Sequence, residues 1–139
     1  MPTELELFDE LSFYTLAHSD PAFVHQNAVD AFAAQVADEN TKPIALVFGL
    51  VGLYLHVEKN FTGRQVQIAH MQLARRRKKW STLPLPDRRG SVRVGDVLAE
   101  SPGPDRDAMI HCWCISVWEA FEASREEIAR LLAAELDIV

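Results

Sequence analysis

Four of the five histidines, His18, His25, His56 and His70, fall on the inward stripes of four successive helical segments. Neutral imidazole is a ligand for Zn, Ni, Fe or Cu. A buried imidazole needs a hydrogen bond, a charge or a metal as its partner. Helical proteins build metal sites from inward side chains on facing helices. The pattern therefore predicts a divalent transition metal (Zn, Ni or Fe) held by these four histidines, with a coordination position left to water. Asp30 and Glu58 are the carboxylates expected beside it, as partners of the ligands or as general base. Metal-activated water attacking a small polar substrate is the chemistry such a set would perform, which makes a hydrolase-like enzyme one expectation. Each residue also has a structural reading. A lone core histidine commonly bonds a carbonyl or carboxylate, Gln26 can bond Asp30 four residues on, and Glu58 can pair with Lys59 or Arg64.

Other chemistry-bearing residues are sparser. Tyr14 and Tyr54 could donate protons in such a site or simply be bundle aromatics with a polar rim. Cys112 and Cys114 stand two apart in CWC, so on a helix they point to different sides and should not bond to each other. They fit a reducing cytoplasm. His111 and Cys114, three apart, form a conceivable Cys–His metal pair. No glycine-rich phosphate loop, nucleophile elbow or His–Glu–x–x–His pattern occurs.

The elements that must position these residues follow from apolar periodicity. A first helix runs from about Glu4 to His18, with Phe8, Leu11, Tyr14, Thr15 and His18 on its stripe. Ser19 or Asp20 then caps a second helix from Pro21 to about Val36, with His25, Ala28, Val29, Phe32 and Val36 inward. Pro43 opens a third helix to about Lys59, apolar almost all round and so the most buried. Gly49, Gly52 and His56 share one of its stripes, which implies close helix packing or ligand space beside His56. Thr62 and Gln65 form a capping box for a fourth helix, about Gly63 to Lys79, with Val66, Ala69, His70, Leu73 and Ala74 inward. Residues 80–105 are broken by prolines and glycines, with a short helix expected at Asp96–Glu100. The last helix spans Asp105 to about Leu136. Trp113, Val117 and Phe121 face the core and Trp118 sits at an interface. The fold class is all-α: one single-domain bundle, residues 1–139, of about five main helices.

The net charge is −6, but residues 61–93 hold Arg64, Arg75, Arg76, Arg77, Lys78, Lys79, Arg88, Arg89 and Arg93 against the single acid Asp87. Such asymmetry suits a small anionic ligand, an acidic partner or self-association of unlike faces. The alternative function is thus a non-enzymatic adaptor. In a homodimer the basic segment would meet Glu4, Glu6 and Glu10, or Glu126 and Glu127. The acidic total and the lack of a recognised module argue against nucleic acid. The longest apolar run, Ile44 to Val57, is short for a membrane span, and the acidic N-terminus lacks the features of a secretory leader. The expected location is the cytoplasm.

The strings HQNAVDAFAAQ (25–35), GLYLHVEKNFTGRQVQ (52–67), PLPDRRGSVRVGDVLA (84–99) and WCISVWEAF (113–121) resemble an uncharacterised bacterial family classed as a domain of unknown function. The resemblance implies one helical domain and no defined activity. Some members carry an N-terminal CxxC-type zinc ribbon, whose cysteines this chain lacks. A looser, architectural likeness is to bundles of the DinB type, which bind a divalent metal through three histidines. Their ligand pair at helical spacing has no counterpart here, and fold analogy does not carry function.

Overall fold

The computed structural model describes residues 1–18 and 20–139. Among them all regular structure is helical. Helix α1 (Glu4–Ala17) opens on a capping box in which Thr3 and Glu6 exchange backbone-to-side-chain hydrogen bonds of 3.1 Å. Leu11 and Thr15 are buried, but His18 lies past the helix end in extended backbone and is exposed.

Helix α2 (Val24–Val36) starts three residues later than its proline suggested. Phe23 adopts a left-handed backbone, φ 58°, and so breaks the first turn. The N-cap position is thus taken by Phe23 and not by Asp20, whose carboxylate instead braces the preceding turn by accepting from the backbone N–H groups of Ala22 (3.0 Å) and Val24 (2.6 Å). Ser19, the other cap candidate, lies outside the described residues. The kink at Phe23 has a tertiary cause. Its carbonyl comes so close to Gly63 that any Cβ there would overlap it, and Arg64 N–H donates to Ala22 O at 2.9 Å. The α1–α2 turn is thereby locked onto the start of α4.

The inward face of α2 is also rotated from the expected one. Asn27, Ala28, Asp30, Ala31, Ala34 and Gln35 are buried, while Val36 is exposed. The helix packs against α1, α3, α4 and α6, so more than one stripe is enclosed. Its alanines permit close approach, and polar side chains occupy the space between the helices.

Helix α3 (Pro43–Lys59) is the central one, buried from Leu46 through Leu55 with only Phe48 partly exposed. Gly49 and Gly52 face α2 and serve close packing. A Cβ on Gly49 would sit 3.3 Å from Asp30 O, and one on Gly52 would overlap the Asp30 carboxyl group. The space beside Gly52 is therefore filled by Asp30. Helix α4 (Gly63–Arg76) has the expected Thr62–Gln65 capping box and buries Val66, Ala69 and Leu73, leaving Ala74 exposed. It ends at Arg76, so Arg77–Trp80 of the basic run lie beyond the helix.

The connector from residue 77 to 93 is held by side chains rather than by secondary structure. Gln35 donates to Arg89 O (3.1 Å) and Val92 O (2.8 Å), and its Oε1 accepts from Trp113 Nε1 at 3.0 Å. Arg89 reaches back to the carbonyls of Gln35 and Ala37 at the end of α2. These are the orphan carbonyls of a helix C-terminus, where a cation is favoured. The short helix α5 (Val94–Ala99) buries Val94 and Val97. The predicted last helix is two: α6 (Pro104–Ala120) and α7 (Arg125–Leu136), joined by a 3-10 turn at Glu122–Ser124. No glycine or proline marks this break. Phe121 turns inward at φ −97°, ψ 24° with 1% exposure, and α7 redirects onto α3 and α4. Packing overrides propensity here. No helix of the described residues is long and apolar enough to cross a membrane.

Candidate functional site

One end of the bundle collects most of the polar chemistry. The α1–α2 turn and the α3–α4 turn meet there through the Ala22–Arg64 bond. Helix α3 ends with Asn60 in the left-handed region, φ 59°, which asparagine tolerates. The chain folds back over the last turn, Phe61 N–H donates to Leu55 O, and Phe61 O accepts from His56 Nδ1 at 3.0 Å. A carbonyl can only accept, so Nδ1 of His56 carries the proton and Nε2 presents its lone pair. That lone pair faces Nδ1 of His111, 3.0 Å away on α6. The two rings are nearly perpendicular, with centroids 5.0 Å apart. His56 is partly buried and His111 exposed. Burial is the main cause holding the His56 pKa below the ordinary value, with the bond to Phe61 opposing and the His111 charge adding to the depression.

On the same helix, one turn before His111, Asp107 accepts from the Tyr14 hydroxyl at 2.9 Å and lies 3.6 Å from His18 Nε2. Tyr14 also accepts from Gly103 N–H (2.8 Å), which ties α1 to the start of α6. Burial is the leading reason the Tyr14 pKa is raised, so the phenol stays protonated here as a structural bridge. His25 at the start of α2 bonds through Nδ1 to the Thr15 hydroxyl, at 2.8 Å, and burial lowers its pKa. His70 belongs to the other end of the bundle. Its Nε2–H donates to Phe48 O at 2.8 Å and its ring stacks on Phe48. Burial again lowers its pKa, opposed by that bond.

The four histidines expected to share a site thus have four separate partners. Among the described residues no three His, Cys, Asp or Glu side chains are grouped to hold one metal ion. The physical reason is the rotation of each stripe: position on an apolar face fixes the side of a helix, but not the height along it. The pairing that does occur involves the fifth histidine, His111, which the sequence reading considered only with Cys114. Cys114 is fully buried and its thiol donates to Asn27 O at 3.5 Å. Burial first, and the neighbouring Asp30 second, push its pKa far up, so it is no thiolate ligand.

The two expected carboxylates are occupied otherwise. Asp30 is 3% exposed, lodged against Gly52, with Oδ1 accepting from Gln26 Nε2 at 3.1 Å and Oδ2 without a partner. Desolvation raises its pKa well above the ordinary carboxylate value. Glu58 accepts from Trp118 Nε1 (2.6 Å) and takes a two-pronged bond from Arg125, 2.8 Å at Nε. Arg125 is the main reason its pKa is lowered. Glu58 therefore clamps α3 to α6 and α7, and Trp118 is 5% exposed rather than an interface residue. The basic segment is partly consumed within the chain as well. Arg93 pairs with Glu4 at 3.1 Å and Arg77 with Glu135 at 3.4 Å. Glu4, expected to meet that segment across a dimer, meets it inside one copy.

A family model described as "Family of unknown function (DUF5946)" matches residues 5–122. That range runs from α1 through α6 and includes both histidines of the pair. No match was found among curated proteins or among solved structures.

Proposed function

We propose that this chain, which belongs to the DUF5946 family and inherits no activity from it, binds a divalent transition metal through His56 and His111. The observation that supports the reading is the backed lone pair: His56 Nδ1–H is spent on the Phe61 carbonyl, and Nε2 points at Nδ1 of His111, 3.0 Å away. A carbonyl behind the ring is the usual outer partner of a metal-bound histidine, because it fixes the tautomer and orients the ring. Two nitrogens each about 2.0–2.1 Å from a tetrahedral Zn stand roughly 3.4 Å apart. The pair needs to open by a few tenths of an ångström, with the proton between the nitrogens displaced by the ion. His111 is exposed and free to make that adjustment. Water would complete the coordination. Glu58 is tied to Arg125 and Asp30 is sealed in the core, so neither supplies a base, and the proposal stops at binding.

The test is calorimetric titration of tag-free protein with Zn²⁺ and Ni²⁺. Wild type should bind near one equivalent, and His56→Ala and His111→Ala should each abolish it. His25→Ala and His70→Gln should bind as wild type does. If wild type gives no more heat than His111→Ala, or if His25→Ala loses the metal as well, the assignment is wrong.

A further inference from the structure

The basic run RRRKKW leads into a cleft at the opposite end of the bundle from the histidine pair. Its floor is apolar: Val47 of α3, Leu83 of the connector, and Ile128 and Leu131 of α7. Trp80 forms one wall, held edge-on against Phe48 with ring centroids 5.1 Å apart. Arg77 and Arg130 stand at the rim with Ser81 and one acid, Glu127. The cavity measures about 220 Å³. An apolar cavity of ~150 Å³ accommodates benzene, so this one has room for a phenyl-sized body with a short polar extension.

Charge selects the polar end. Arg77 and Arg130 line the cleft with Glu127, and each also has a carboxylate partner. Arg77 pairs with Glu135 at 3.4 Å, and Arg130 with Glu126 at 4.0 Å in a largely exposed pair that an incoming carboxylate can replace. Arg75, Arg76, Lys78 and Lys79 flank Arg77 along the chain, so six cations stand against these three acids. The guanidinium fork matches carboxylate geometry, and the surrounding cations raise the local concentration of anions. We propose that this cleft binds a small organic carboxylate, its aryl or alkyl body against Trp80 and Leu131 and its carboxylate at Arg130 and Arg77. The basic segment would then serve as an anion funnel for the cleft.

Three probes share one body and differ in charge: phenylacetate, 2-phenylethanol and 2-phenylethylamine. Trp80 is partly exposed whereas Trp113 and Trp118 are buried, so Trp80 reports the cleft by fluorescence. Phenylacetate should give a saturable change that Trp80→Phe removes. It should bind about tenfold more tightly than the amine, as one charge-assisted contact implies, with the alcohol between. Ala134→Phe, an exposed position of the cleft wall, should block all three probes. Arg130→Glu, also exposed, should reverse the preference toward the amine. Melting temperatures near wild type for both variants establish that they fold. Absence of saturation with phenylacetate, equal or tighter binding of the amine, or unchanged binding in Ala134→Phe would each overturn the proposal.

Discussion

Replacing Gly52 with alanine probes the contact between α2 and α3 most directly. In an exposed helix interior the change would stabilise the fold by about 1 kcal/mol, through lost chain entropy of the unfolded state. Here the new Cβ would overlap the Asp30 carboxyl group, which is 3% exposed and wedged between helices. Overpacking of this kind costs roughly 1–3 kcal/mol. Pushing Asp30 aside also strains its 3.1 Å bond from Gln26, worth about 1 kcal/mol. Gly52→Ala should therefore destabilise by a net ~2 kcal/mol, which at about 4 °C per kcal/mol for a chain of this length lowers Tm by roughly 8 °C. Gly49→Ala is the control. Its Cβ would meet Asp30 O at 3.3 Å and Ala33 Cβ at 3.6 Å, a tight but tolerable fit, so the change should be near neutral. The decisive measurement is a double-mutant cycle by urea unfolding. In an Asp30→Ala background, Gly52→Ala should change sign and stabilise by about 1 kcal/mol, because the obstacle is gone. If Gly52→Ala costs the same with and without Asp30, the carboxyl group does not occupy that space and the account of the α2–α3 contact fails.

Two further outcomes follow from the same core. Asp30 has a folded-state pKa raised by burial above its unfolded value near 4. Below that value both states hold the proton. Above it the unfolded chain releases the proton first, so stability falls as pH rises from about 4 toward the folded pKa, then levels. Asp30→Asn should remove that slope and be more stable than wild type at neutral pH; urea midpoints across pH 4–8 that run parallel for the two proteins would contradict it. Gln35→Leu strips the partner from Trp113 Nε1 and releases two connector carbonyls, and a buried unpaired N–H costs about 1–3 kcal/mol. Limited proteolysis should show new cleavage between residues 80 and 93, and a wild-type digestion pattern would show that the connector is held some other way.

The helices were legible from local signals: the apolar stripe of α1, the opening proline and apolar run of α3, and the Thr62 cap of α4. The boundaries at Phe23 and Phe121 lack one. Phe23 leaves the helix because its carbonyl needs Gly63, forty positions on, and Phe121 leaves because α7 must reach α3 and α4. The polar core of α2 was hidden for a similar reason. Asp30 was expected beside a metal and Gln35 carried no signal, because their actual surroundings, Gly52 for the one and Trp113 and the 89–92 backbone for the other, come from distant parts of the chain. At the candidate site His56 was among the expected ligands, but His111 was matched with Cys114, its neighbour at helical spacing, rather than with His56 across the bundle. Four residues before it, Asp107 meets Tyr14 and His18 of the α1 end while His111 meets His56 of α3, and that polar i, i+4 spacing on α6 was the available signal.

The Gln35 side chain also orders events in time. Its partners lie 54, 57 and 78 residues further along the chain. The α2–α3 pair can collapse early on nearby contacts, but it does so with an unquenched amide facing water, and long-range closures are the slow ones. During synthesis α2 has been made long before Arg89, Val92 and Trp113 leave the ribosome. Until α6 packs against α2, Gln35 lacks its Trp113 partner, so this part of the core is completed only by a contact 78 residues away in the chain.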